Sequence, residues 1–528
     1  MSLLRQWLRD APREERRPAA VVGAVALALA AWAVVPIGDG AASVSHTGTA
    51  GVGRDDVSTN PHTEGQPDVG VASGATIPGG AGASFTQGPA GRPTGPVGAV
   101  ATPSTGGAAC PPLTASDQGI TPTTITVGIG DFDAGNPLIV EQFGFRADAE
   151  DVVNALVADI NRRGGIACRK LVPRFYKVNP FVESDQRSKC TQAVHDDRVF
   201  AFLDPGVLTT RATQSCVTVD NHVPLLSAAP IPASWVQAQA PYFLSHNTDS
   251  NRAARNWVLL ANQAGFFDRS SPNRFKKVGL LVCRNDGGVT DEIKRNLAAV
   301  GVTSINEQIL DCQADLVAPS NQVEQAALEH KLAGVTHVLP ATLSTNVRVY
   351  LQAASSQDFK PKYSASDVGG LAYPGFTEAF DPAQWNGTIG YTHSRSAELR
   401  NSQPSPETLR CDAVLRAHGV PGIETEWDDF PRIYCDLLHL LTVGMNRVPA
   451  NPTRLQFTQA VQTSGRITFS GVSDGVYDRR GKFTGGDFIR SIQWRDDNVP
   501  ACEKGDGRGD NQSNGCWFVL DPTFRPSY

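Results

Sequence analysis

Cysteine is absent from the first 109 residues of this 528-residue chain, and no Cys-x-x-Cys pair or Cys/His metal spacing occurs after them. That excludes a structural zinc site of the usual kind. It also excludes a lipid-modified cysteine directly after the N-terminal apolar run. Lysine is scarce, 11 residues against 36 arginines, and the net charge is only −6 with no concentrated basic patch. A nucleic-acid partner is therefore not expected. No G-x-S-x-G, H-E-x-x-H or P-loop is present, so the sequence offers no nucleophile elbow, zincin helix or phosphate cradle. Gly128-Ile129-Gly130 follows a strand-like run, but the next glycine, Gly135, is out of place for a dinucleotide fingerprint. The Asp/Asn/Gly-rich stretch 506–514 lacks the alternating oxygen ligands of a calcium loop. No cofactor, no metal and no catalytic set is implied.

Aromatic residues are almost missing from Gly38 to Asp117, where Phe85 stands alone among 17 glycines and 9 prolines. Such a segment buries too little apolar surface to offset its ordering entropy. It reads as a disordered linker over 38–118, with a typical reach of about 50 Å. Before it, Arg5, Arg9, Arg13, Arg16 and Arg17 precede an uncharged apolar run, Ala19 to Ile37. At about 1.5 Å per residue that run approaches the thickness of a bilayer core. It is expected to act as a membrane anchor with a cytoplasmic N-terminus, or as a signal cleaved near Gly40-Ala41-Ala42. Either way the bulk of the chain lies outside the cytoplasm.

Ten cysteines in an exported chain point to disulfides. Nearness in sequence and neighbouring predicted elements suggest Cys190 with Cys216, Cys283 with Cys312, Cys411 with Cys435 and Cys502 with Cys516. That leaves Cys110 with Cys168.

From Ile120 onward strand-like and helical runs alternate. Ile125 to Ile129 forms a strand, and Val152, Val153, Leu156, Val157 and Ile160 form one face of a helix. Gly164 and Gly165 end that helix, and Leu171 to Val178 is the next strand. The alternation continues through Val199–Leu203, Val223–Ser227, Lys277–Cys283, Val302–Leu310, Val335–Leu339, Pro361–Ala365 and Thr388–Tyr391. Helices separate most of these strands. Such a pattern predicts α/β architecture with two doubly wound parallel sheets. Beyond Thr392 the chain turns helical, then closes with hairpin-like strands and a last apolar strand, Trp517 to Leu520.

The segments Ile120-Thr121-Pro122-Thr123-Thr124-Ile125-Thr126-Val127-Gly128, Ala158-Asp159-Ile160-Asn161-Arg162-Arg163-Gly164-Gly165-Ile166, Asp197-Arg198-Val199-Phe200-Ala201-Phe202 and Asn221-His222-Val223-Pro224-Leu225-Leu226-Ser227 stand in a telling order. Together they resemble the type I periplasmic solute-binding proteins, and among them the branched-chain amino acid- and amide-binding proteins of ABC importers. The resemblance implies two lobes joined by three crossovers. Lobe 1 would be 119–246 plus 394–466, and lobe 2 would be 247–393 plus 467–528. It implies a monomeric head that captures a small polar, amino-acid- or amide-like solute in the cleft and presents it to a permease, without chemistry. Alternatives are a membrane-tethered receptor of the same fold and, more remotely, an exported hydrolase.

The family's ligand site carries over in part. The carboxylate-binding loop after the third strand falls on Leu208-Thr209-Thr210, with Thr209 or Thr210 as hydroxyl; Thr209 could instead cap a helix. The loop after the fourth strand falls on Ser227 to Ile231, where Ser227 and the backbone of Ala229 could serve, but Ile231 replaces a hydroxyl. In lobe 2 the aromatic position reads as Leu343, and the acid that takes the ligand's ammonium reads as Asp367, or else as a solvated loop acid.

Overall fold

The computed structural model describes residues 110–133, 148–270, 273–312, 317–377, 379–424, 428–496 and 514–528. The apolar run 19–37 and most of the linker lie outside them. No described helix is long and apolar enough to cross a membrane.

The first sheet has five parallel strands: β1 (Thr124–Phe132), β2 (Lys170–Val178), β3 (Ala201–Asp204), β4 (Leu225–Ser227) and β5 (Phe243–Ser245), in the order β2-β1-β3-β4-β5. Between β1 and β2 runs helix α1 (Ala149–Arg162), which buries Val152, Val153, Leu156, Val157 and Ile160. The three-and-four spacing thus sits on the core side, as one stripe. Gly165 has φ +78°, and a Cβ there would fall 2.0 Å from the Arg169 carbonyl oxygen, so only glycine makes this turn. Helix α2 (Glu183–Thr191) ends in a π turn, Gln192–Asp196, rather than continuing as α-helix. The helical stretch between β3 and β4 is likewise divided, into Arg211–Ser215 and a π turn, Cys216–Asp220.

The second sheet runs β14-β13-β10-β9-β8-β6-β7. Its members are β6 (Val278–Cys283), β7 (Ile305–Leu310), β8 (His337–Ala341), β9 (Lys362–Ser366), β10 (Ile389–Thr392), β13 (Phe488–Arg495) and β14 (Cys516–Val519), with a short eighth strand, Arg525–Pro526, paired with β13. β7 through β10 are parallel; β13 lies antiparallel to β10, and β14 antiparallel to β13. Two-residue periodicity sorts the core onto two faces. Val278, Leu280 and Val282 of β6 pack with helices α3 (Ser250–Gln263) and α4 (Val289–Ala299). Leu281 faces the opposite side, with helices α5 (Ser320–Leu332) and α6 (Ser344–Ser356). Trp494 and Trp517 are buried on that same side.

After β10 the chain returns to the first sheet with helices α7 (Pro406–Ala417), α8 (Asp429–Met445) and α9 (Arg454–Gln462), whose apolar residues join the first core. The hairpin β11 (Gly465–Ile467) and β12 (Gly475–Tyr477) stays with that core, because Ile467, Phe469, Val472, Tyr477 and Phe483 are buried in it. Packing therefore carries the chain well past residue 466 before it crosses to the second sheet.

Disulfides join Cys110–Cys168, Cys190–Cys216, Cys283–Cys312 and Cys411–Cys435. Cys516 is also disulfide-bonded, and Cys502 lies outside the described residues. Next to the first of these bridges Arg169 is 1 % exposed. Its guanidinium donates to the carbonyls of Thr121 (2.7 Å), Ala167, Ala450 (2.7 Å) and Thr114, and to Asn451 Oδ1. Five acceptors, none of them a carboxylate, stand in for water around a buried cation. They fix the end of the linker at the N-terminal edge of β1, opposite the strands' carboxyl ends.

Candidate functional site

The carboxyl ends of the parallel strands in both sheets face a cleft of about 320 Å³. In open α/β sheets this is where loops leave room for a ligand. One wall comes from the first lobe: Phe132, Pro205, Leu208, Thr209, Ala229, Ile231 and Trp235. The other comes from the second lobe: Val289, Leu343, Val368, Tyr373 and Phe376. The crossovers contribute His246, Asn247, Gly471 and Val472 at the floor, with Asp429, Phe430 and Ile433 at the start of α8.

The lobes touch around this space. Leu343 and Phe376 of lobe 2 pack against the core of lobe 1. Asn247 Nδ2 donates to the Tyr373 hydroxyl (3.0 Å) and to the Ala228 carbonyl (3.2 Å). Ser234 Oγ donates to the Gly287 carbonyl at 3.1 Å. The crossovers are themselves paired, since Arg395 N donates to Gly471 O and Ser473 N to His393 O.

The loop after β3 is shaped by a residue that sequence comparison with the family did not single out. Asp204 is fully buried; its Oδ1 accepts from the backbone N–H groups of Gly206 (3.0 Å), Val207 (2.8 Å) and Leu208 (3.2 Å), and its Oδ2 from Ser227 Oγ (2.9 Å). Burial pushes its pKa up, against the hydrogen bonds that pull it down. The only signal in the sequence was an acid followed by Pro-Gly at a strand end, a turn pattern.

The six expected site residues fall into two groups. Thr209, Ala229 and Leu343 line the cleft; Thr210, Ser227 and Asp367 do not. Thr210, rather than Thr209, caps the following helix, accepting from Thr213 N. The Thr209 hydroxyl donates to the Pro180 carbonyl at 2.9 Å, and its N–H donates to Gln186 Oε1 at 3.0 Å. Ser227 is buried against Asp204 and accepts the Ala229 N–H at 3.2 Å. Asp367 is neither a solvated loop acid nor a cleft wall. It is fully buried and accepts from Thr392 Oγ1 (2.6 Å), His393 N (2.7 Å) and the His393 ring Nδ1 (2.7 Å). It braces the crossover after β10.

Two cleft residues carry unusual electrostatics. His246 is buried with no partner for Nδ1, and loss of water drives its pKa down to about 3, so the ring is neutral. Asp429 accepts from Ser396 Oγ (2.6 and 2.8 Å) and from Arg432 Nη2. Burial raises its pKa while Arg432 opposes that rise.

No family model matches the chain, and no curated protein matches it in sequence. Solved structures do match in shape. A branched-chain amino acid ABC transporter protein from Thermus thermophilus with bound valine is 14% identical with a TM-score of 0.54, covering 77% of this chain and 97% of its own. A fatty acid ABC transporter substrate-binding protein from Thermomonospora curvata is 13% identical, also with a TM-score of 0.54, covering 79% and 95%. At this level of identity the likeness is one of fold. The head has the type I periplasmic-binding fold. An ABC transporter substrate-binding protein from Desulfitobacterium hafniense in complex with Leu is 13% identical with a TM-score of 0.51, covering 70% and 97%. In the type I fold of this chain, the cleft is bounded by both sheets and floored by the crossovers, so relative motion of the lobes changes its volume directly.

Proposed function

We propose that this chain is an extracytoplasmic solute-binding protein. It captures a small molecule between its lobes and presents the closed complex to an ABC importer, acting as a monomeric head and doing no chemistry. The observation that carries this reading is the cleft itself: about 320 Å³, walled by Thr209, Ala229 and Trp235 on one lobe and by Leu343, Tyr373 and Phe376 on the other. That volume lies at the lower end of small-molecule sites, about 300–1,000 Å³. Thr209, Ala229 and Leu343 act as wall contacts, while Thr210, Ser227 and Asp367 hold the framework behind them. Residues 19–37 and the linker hold the head at the membrane. The clamp around Arg169 holds the last linker residues, at Thr114, on the side opposite the cleft.

The test is a thermal-shift screen of the full-length chain against amino acids, amides, sugars and apolar small molecules. A ligand at about 100 times its Kd is expected to stabilise the head by about 2.7 kcal/mol. Small-angle scattering is expected to show the head more compact with that ligand than without it. If no solute stabilises the head, the binding function is refuted. If ligands bind but a co-expressed permease neither captures the complex nor transports the ligand, the importer assignment gives way to a ligand-sensing receptor.

A further inference from the structure

The solutes named for the similar structures include valine and leucine, both bearing a carboxylate. This cleft offers no cation to hold one. Among the described residues no lysine or arginine lines it; its only formally charged side chains are Asp286 and Asp429. The one histidine on the lining, His246, is neutral. Arg432 lies behind Asp429 with no accessible surface, its Nη2 already on that carboxylate.

A carboxylate can also be held without a cation, by N–H groups and hydroxyls at the carboxyl ends of strands. Here the groups in the loops after β3 and β4 that would do so are engaged within the protein. The Thr209 N–H is given to Gln186 Oε1 and its hydroxyl to the Pro180 carbonyl. The Ala229 N–H is given to Ser227 Oγ, and Ile231 supplies a side chain with no donor at all. Asp286 spends its oxygens on Gly288 N (3.0 Å) and Thr290 N (2.7 Å) at the start of α4. Most of the surface facing the space is apolar, with Phe132, Trp235, Val289, Leu343, Phe376 and Phe430; Asn285 and Tyr373 are polar residues among them.

Resting on the solute-binding reading above, we infer that the ligand is an uncharged, mainly apolar small molecule and not a carboxylate. A carboxylate placed here would lose its hydration without gaining a cation and would face two acids. An uncharged ring or chain exchanges water for aromatic and aliphatic walls.

Matched pairs sharing one skeleton test this. The probes are 3-phenylpropanol with 3-phenylpropanoate, and 2-naphthylmethanol with 2-naphthoate, titrated by calorimetry into the full-length chain at pH 7.5 beside leucine and valine. The alcohol of each pair is expected to bind at least 10-fold more tightly than its carboxylate, and Ala229→Trp to abolish both signals. Leu343→Arg, which places a cation on the wall, is expected to shrink that ratio toward unity. Equal or tighter binding of the carboxylates, or binding of leucine or valine alone, overturns the inference while leaving the solute-binding function standing. Absence of binding by every probe overturns both.

Discussion

Replacing Asp367 with alanine separates a brace from a ligand contact. In the structure its two oxygens receive the Thr392 hydroxyl, the His393 N–H and the His393 ring, and all three residues are essentially without accessible surface. Alanine leaves three buried polar groups without an acceptor. Each such group costs about 1–3 kcal/mol, and breaking a buried pair by removing one partner typically costs about 3–5 kcal/mol in all. With an unfolding entropy of roughly 2.1 cal/mol/K per residue over about 400 ordered residues, that corresponds to a melting point about 4–6 °C lower. Asparagine keeps one acceptor oxygen and the volume, so Asp367→Asn should lose less than half as much. Scanning fluorimetry on the wild type and both variants, with and without a bound ligand, reads both quantities. The alanine variant should melt early yet show the same ligand-induced increment. A variant that melts within about 1 °C of the wild type but no longer responds to ligand would refute the bracing role and return Asp367 to the ligand.

Three other outcomes follow from the same physics. His246 has its folded pKa pushed down to about 3, below the unfolded value of about 6.5; its contribution is intact above pH 6.5 and is lost as pH falls toward 3. His246→Phe should therefore flatten the acid-side loss of stability by about 1.4 kcal/mol per pH unit between pH 6 and 4, read from urea midpoints at three pH values. By the loop lengths of 58 and 24 residues, removing Cys110–Cys168 with paired serines should cost about 4 kcal/mol and removing Cys411–Cys435 about 3.5 kcal/mol; denaturant titration of the two double variants tests the order. Ala229→Trp should leave the melting point within about 2 °C of wild type while eliminating ligand-induced stabilisation, because it fills the cleft and not the core; a retained ligand shift would place the site elsewhere.

The scaffold was legible because its signals are periodic and local. The α1 stripe, the glycines at 164 and 165 and the alternating strand runs each report a backbone geometry that needs no distant partner to be read. The site was less legible because hydrogen-bond ownership is a tertiary property. Thr209 and Ser227 are the right residue types at cleft-forming loops, yet Gln186 and Asp204 claim their donors from other elements. Asp367 looked available as a loop acid, and only the fold shows that His393, distant in sequence, takes it up. The crossover beyond residue 466 was hidden for the same reason: Tyr477 and Phe483 belong to lobe 1 through packing, not through any local break in pattern.

The order of strands in the second sheet has a consequence for how the chain is made. β13 and β14 pair at its edge beside β10, yet they are synthesised only after α7, α8 and α9 have gone back to the first core. Neither lobe is therefore complete when its first stretch of sequence has emerged: lobe 1 waits for residues 406–483, and lobe 2 for Trp517, which fills its core from the last few residues. Such long-range closure slows folding. A chain whose two halves both close late leaves apolar core positions uncovered for longer than one whose lobes are contiguous in sequence, and that exposure favours association with other chains before folding is finished.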